Sequence, residues 1–112
     1  MRRWMAGALG WAAVMVAATA AYAGDADVNV RLFQFRPAPV EVPQGTRVVW
    51  TNQDEITHTV TAGTPERPGG GFDLALDGKG TKAGWEFATP GAYPYFCSRH
   101  QSMRGEVRVS VK

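Results

Sequence analysis

Proline and glycine cut residues 24–112 into segments too short for most helices and long enough for strands. Between the breaks, apolar residues alternate with polar ones. Val28, Val30 and Leu32 share one parity, and Phe33 and Phe35 then place aromatics on the other. This predicts one strand over 27–35, either bulged or buried on both faces. Pro37 and Pro39 end it. Val40 and Val42 predict a short strand stopped by Pro43, Gln44-Gly45 a turn, and Thr46–Asn52 a core strand carrying Val48, Val49 and Trp50. Gln53-Asp54-Glu55 reads as a polar loop and 56–62 as a strand with His58 near its start. Residues 63–71 read as a loop, 72–76 as a short strand or a turn of helix, and 77–80 as a turn. Strands follow at 82–88 (Trp85 and Phe87 on one face), 92–97 and 105–112, the last with Val107, Val109 and Val111 inward. About seven or eight strands with regular turns and no helix pattern predict an all-β fold, a Greek-key β-sandwich.

The N-terminal stretch is of another kind. Arg2 and Arg3 precede an apolar, uncharged run, and Ala21-Tyr22-Ala23 supplies an Ala-x-Ala cleavage signature before Gly24. Residues 1–23 are expected to be a secretory signal peptide and 24–112 a single domain, exported to the periplasm. An uncleaved anchor is the other reading, because the run is nearly long enough to span a bilayer. The arginine pair hints at twin-arginine export, with an incomplete match after it. The chain has 12 Lys+Arg against 10 Asp+Glu, and Arg2 and Arg3 account for the excess. The exported part is formally neutral, and no basic run is interleaved with aromatics, which excludes nucleic-acid binding.

Chemistry concentrates in Cys97-Ser98-Arg99-His100-Gln101-Ser102-Met103. A thiol, an imidazole and a thioether stand at Cys-x-x-His-x-x-Met spacing on one loop between two strands. Cys97 is the single cysteine, so it has no internal disulfide partner, and a lone cysteine in an exported protein calls for another explanation. A metal-bound thiolate is one. Two His, one Cys and a long axial Met form the donor set of a blue-copper site. The loop offers three of these donors, and His58 is the only histidine left to complete the set. His58 reaches the same pole if its strand neighbours the one ending at Cys97. Taken singly, each residue has a plainer reading: Cys97 as a small buried hydrophobe, Met103 as core filler, His58 and His100 as surface residues.

The residues also resemble a known family, the cupredoxins, and among them the amicyanin- and plastocyanin-like blue copper proteins. Phe33-x-Phe35-x-Pro37, Val40-x-Val42-x-x-Gly45, Val48-x-Trp50-x-Asn52 and His58 resemble the family's first half. Pro90-Gly91-x-Tyr93-x-Tyr95-x-Cys97-x-x-His100-x-x-Met103-x-Gly105-x-Val107-x-Val109 resembles the second, with a short, amicyanin-like ligand loop. The resemblance implies one type 1 copper ion held by His58, Cys97, His100 and Met103, with Asn52, Thr59 and Ser98 standing behind these ligands. It implies one-electron shuttling by a monomer between redox partner proteins, such as a c-type cytochrome or a dehydrogenase, and no enzymatic activity. The chain departs from the family pattern at Thr59, where asparagine is usual. It departs again at Ser98, Arg99, Gln101 and Ser102, which predict a polar rim around His100.

Other functions compete with electron transfer. A copper carrier or copper-stress binder would use the same ligands. An enzyme with Cys97 as nucleophile would need a base and an orienting third residue, and no clear candidate for the latter is present. A metal-free structural sandwich is the remaining alternative.

Overall fold

The computed structural model describes residues 24–111. They form nine strands and no helix: β1 (Asp25–Arg31), β2 (Gln34–Arg36), β3 (Val40–Pro43), β4 (Thr46–Asn52), β5 (His58–Thr64), β6 (Arg67–Leu76), β7 (Lys82–Phe87), β8 (Gly91–Cys97) and β9 (His100–Ser110). The signal peptide expected over 1–23 lies outside the described residues. Among those described, no helix is long and apolar enough to cross a membrane.

The strands make two sheets, ordered β2-β1-β4-β7 and β3-β9-β8-β5-β6. β1 runs parallel to β4 and β3 parallel to β9, and the remaining pairs are antiparallel. Alternation along the strands turns Val28, Val30, Val48, Trp50 and Phe87 inward from the first sheet and Val60, Ala62, Tyr95, Val107 and Val109 from the second. Each such fully buried aliphatic or aromatic side chain contributes about 1.5–3 kcal/mol. Trp50 is the centre of this core, edge-on to Tyr95 at 5.4 Å and to Phe87 at 6.5 Å. Phe35 closes on the other side of Tyr95 at 4.8 Å. A Cβ on Gly105 would stand 2.5 Å from the Tyr95 ring, so only glycine fits there. Neither Trp50 Nε1 nor Tyr95 OH has a hydrogen-bond partner among the described residues, and burial pushes the Tyr95 phenol up to about 12.

Four segments differ from their sequence-based expectation. Residues 27–35 are not one strand: Leu32 and Phe33 turn the chain at φ 53° and 59°, and β1 pairs with β2 as a hairpin. That turn lacks the glycine or asparagine that usually marks such a conformation, so local chemistry does not announce it. Residues 63–71 are the far end of the β5–β6 hairpin, paired Gly63↔Pro68 and Thr64↔Arg67 beyond a bulge. β9 begins at His100 rather than at 105. Val111 lies past the end of β9 and is exposed. The extra hairpin strand brings the count to nine.

Candidate metal centre

Two register features build the centre. β5 and β8 are antiparallel neighbours, paired Thr61↔Phe96 and Ala62↔Tyr95. The start of β5 therefore lies beside the end of β8, which brings His58 to Cys97. β8 then returns as β9 through only Ser98 and Arg99, with Cys97 opposite His100 and an irregularity between Phe96 and Cys97. A bulge re-aims side chains out of strict alternation, and Tyr95, Phe96 and Cys97 are all buried in succession.

His58 Nδ1 stands 3.7 Å from Cys97 Sγ, and His100 Nδ1 stands 3.6 Å from it. The three potential ligand atoms lie within 4.8 Å of one another. Sulfur and nitrogen ligands sit about 2.0–2.3 Å from a metal such as zinc. At near-tetrahedral angles such ligands are about 3.6 Å apart, which the two sulfur–nitrogen distances match. His58 and Cys97 are fully buried and His100 is half-buried. Met103 is buried on the inward parity of β9, three residues beyond His100 and in line with Gly105, Val107 and Val109.

Residues 22–110 match the family described as copper binding proteins, plastocyanin/azurin family. The chain belongs to that family. It is 28% identical over 102 residues to amicyanin-alpha of Methylorubrum extorquens, covering 88% of this chain and 82% of that protein. It is 34% identical over 83 residues to the chloroplastic plastocyanin of Tetradesmus obliquus, covering 67% of this chain and 57% of that protein. Among solved structures, a purple cupredoxin from Nitrosopumilus maritimus superposes with a TM-score of 0.70 at 28% identity, covering 77% of this chain and all of that one. The chain is thus a cupredoxin with copper as its cofactor, of the electron-carrier type and not an enzyme. A soft thiolate beside two imidazoles is the donor chemistry that copper favours.

Behind the cupredoxin donors, hydrogen bonds join the two ligand-bearing segments. The Thr59 N–H points at Cys97 Sγ at 3.4 Å. Thr59 Oγ1 accepts the Ser98 N–H at 2.8 Å and contacts the Ser98 hydroxyl at 3.1 Å. The threonine that replaces the usual asparagine therefore still ties the start of β5 to the β8–β9 turn. The link continues from Thr59 to Thr61 at 2.9 Å and from Thr61 to Asp73 at 2.9 Å. Asn52 acts one step further back. Its buried amide donates to the carbonyls of Ile56 (2.8 Å) and Leu76 (3.1 Å), and its oxygen accepts the Asp54 N–H at 2.9 Å, which braces the 53–57 loop.

Two neighbours of the centre escaped the sequence reading. Asp54, placed in a polar loop, accepts the His58 Nε2–H at 2.8 Å. This makes Nε2 the protonated nitrogen and leaves the Nδ1 lone pair facing Cys97. Burial raises the Asp54 pKa, but the Phe33 amide, His58 and the Leu32 amide outweigh it, and the carboxyl is held below the usual range. A carboxylate four residues before a candidate histidine ligand was the available signal. Phe33 is the other. Its ring stands edge-on to His58 at 5.4 Å and to His100 at 5.0 Å, and it is half exposed. The rim of His100 is therefore apolar on the Phe33 side and polar only along Ser98, Arg99, Gln101 and Ser102. No local pattern marked this, because Leu32-Phe33 reads as strand.

Proposed function

We propose that residues 24–112 are an exported type 1 copper protein that carries single electrons between redox partner proteins. The observation that carries this reading is the convergence of Cys97 Sγ with the Nδ1 atoms of His58 and His100 at one pole of a rigid sandwich. His58, Cys97 and His100 would hold the ion, and Met103, buried on β9 three residues beyond His100, would add a weak thioether donor. Copper held there supplies a Cu(I)/Cu(II) couple. The residues do the rest. Buried strands and the Thr59–Ser98 link fix the donors, so that little movement accompanies a change of charge. Cys97 and His58 are shielded from water, and the half-exposed edge of His100 is the route by which electrons enter and leave.

The partner is a protein that docks over His100, such as a c-type cytochrome or a dehydrogenase, and the protein acts as a periplasmic monomer. The Arg2-Arg3 start, the apolar run and Ala21-Tyr22-Ala23 support cleavage of residues 1–23 as a signal peptide.

The test is a visible spectrum after Cu(II) addition, followed by electron self-exchange and copper loss to a chelator. The expected result is an intense copper–thiolate band, fast self-exchange and slow copper loss. Oxidation of Cys97 without a band would defeat the reading. Fast loss of Cu(I) with slow self-exchange would make the protein a copper carrier instead. Met103→Leu is expected to retain copper and shift the reduction potential, because the axial ligand tunes it. An unchanged potential in the loaded variant would remove Met103 from the ligand set.

A further inference from the structure

We propose that Asp54 is a positioning residue that locks the buried ligand His58 and the Phe33 lid into one unit. This rests on the copper-site reading above, and it concerns how the chain's own residues hold the site before any metal arrives.

A single carboxylate serves two elements that are distant in sequence. Asp54 Oδ1 accepts the Leu32 N–H at 2.8 Å. Asp54 Oδ2 accepts both the Phe33 N–H at 3.0 Å and the His58 Nε2–H at 2.8 Å. Asp54 is itself anchored by its own N–H to the fully buried Asn52. The carboxylate thus joins the β1–β2 turn to the start of β5, and the Asp54 backbone ties both to the end of β4.

The turn needs such support. Leu32 and Phe33 both occupy the left-handed region, at φ 53° and 59°, where a non-glycine residue is strained. Two turn amides directed at one carboxylate offset that strain with charge-assisted hydrogen bonds. The same conformation carries the Phe33 ring across the mouth of the site, edge-on to both imidazoles at interplanar angles of 87° and 85°. Leu32, on the other turn position, is 70% exposed and packs little of its own surface, so turn packing alone does not explain the geometry. Asp54 therefore sets the His58 tautomer and the lid position together. Loss of the carboxylate frees both at once.

The experiment compares wild type, Asp54→Ala, Asp54→Asn and Phe33→Ala. In the metal-free protein, NMR reads the His58 tautomer and the hydrogen exchange of the Leu32 and Phe33 amides. Asp54→Ala is expected to give a mixed His58 tautomer and at least about tenfold faster exchange at both amides, because the hydrogen-bond acceptor is gone. Asparagine offers one acceptor oxygen where the carboxylate offers two: standing at the Oδ2 position it keeps the His58 and Phe33 contacts and frees the Leu32 amide, and turned over it holds Leu32 alone, so Asp54→Asn is expected to lose at least one of the three. In the loaded protein, removal of the carboxylate is expected to weaken copper binding by about 10–100-fold, as loss of a partner to a ligating histidine does. Phe33→Ala is expected to leave the His58 tautomer fixed and to speed copper loss.

A folded Asp54→Ala protein with wild-type tautomer and exchange overturns the proposal. If that variant does not fold, Asp54→Asn decides: full retention of both features defeats the lock. Faster turn exchange in Asp54→Ala with unchanged tautomer and copper affinity would make Asp54 a turn brace only, which also overturns it. Absence of a copper band in wild type would defeat the copper reading and leave the metal-free measurements standing.

Discussion

The two histidines of the centre present the same nitrogen to the same sulfur and live in opposite surroundings. His58 is fully buried, with its far nitrogen on Asp54 and its backbone in β5 against β8. His100 is half-buried at the first position of β9, and its Nε2 makes no hydrogen bond among the described residues. One is held by the fold on every side, and the other by its turn and the Phe33 ring. An electron carrier needs both kinds. The buried ligand keeps the geometry constant through a change of charge, and the open one gives electrons a short path to a partner.

That contrast can be broken most sharply by deleting each ring. His58→Gly is expected to destabilise the metal-free protein by about 2–4 kcal/mol, because it opens a cavity and strips Asp54 of its buried donor. His100→Gly is expected to cost under about 1 kcal/mol, and added imidazole should restore its copper band but not that of His58→Gly. Denaturant unfolding and copper spectra check both, and equal costs would erase the distinction. Overpacking behind the ligand strand ranks next. Gly105→Ala forces a methyl into the Tyr95 ring, which Trp50 and Phe35 hold on either side, and should cost about 1–3 kcal/mol by the same unfolding measurement.

The same tyrosine gives a pH prediction. Its phenol ionises at about 12 in the folded protein, against an ordinary value of 10.0. Its neutral form is favoured by folding, so the contribution is intact below pH 10 and is lost as pH rises from there through 12. Stability should fall by roughly 2–3 kcal/mol across that window. Tyr95→Phe should flatten the fall, and a phenolate difference spectrum should lose its latest-titrating component. A small effect is also expected at the link between the ligand segments. Thr59→Val removes the acceptor for the Ser98 N–H at a cost of about 1 kcal/mol and should speed copper loss while leaving the band in place. Unchanged release kinetics would show that the β8–β9 turn holds His100 without help from Thr59.

The ligand strand and the β1–β2 hairpin show what could be read from the sequence. Cys97, His100 and Met103 stand at local spacing, so their chemistry was legible as soon as they were met. Strands such as 46–52 and 82–88 were legible too, since alternation and turn residues act over neighbours in the chain. The Leu32-Phe33 turn was not. Its cause is a carboxylate more than twenty residues away, and nothing in the local sequence distinguishes it from strand. The glycine-rich 63–71 segment reads as a loop for a related reason: glycines at positive φ form the far end of a hairpin only because β6 has β5 to pair with.

By itself, then, the sequence determined the all-β class, the core alternation and four metal-capable donors, because these depend on residue type and short-range spacing. The tertiary structure alone decided that β5 lies against β8, that Asp54 reaches both His58 and the turn, and that Phe33 closes over the site. Those depend on which distant segments pack together, and packing is settled by the whole buried surface rather than by any one stretch of chain.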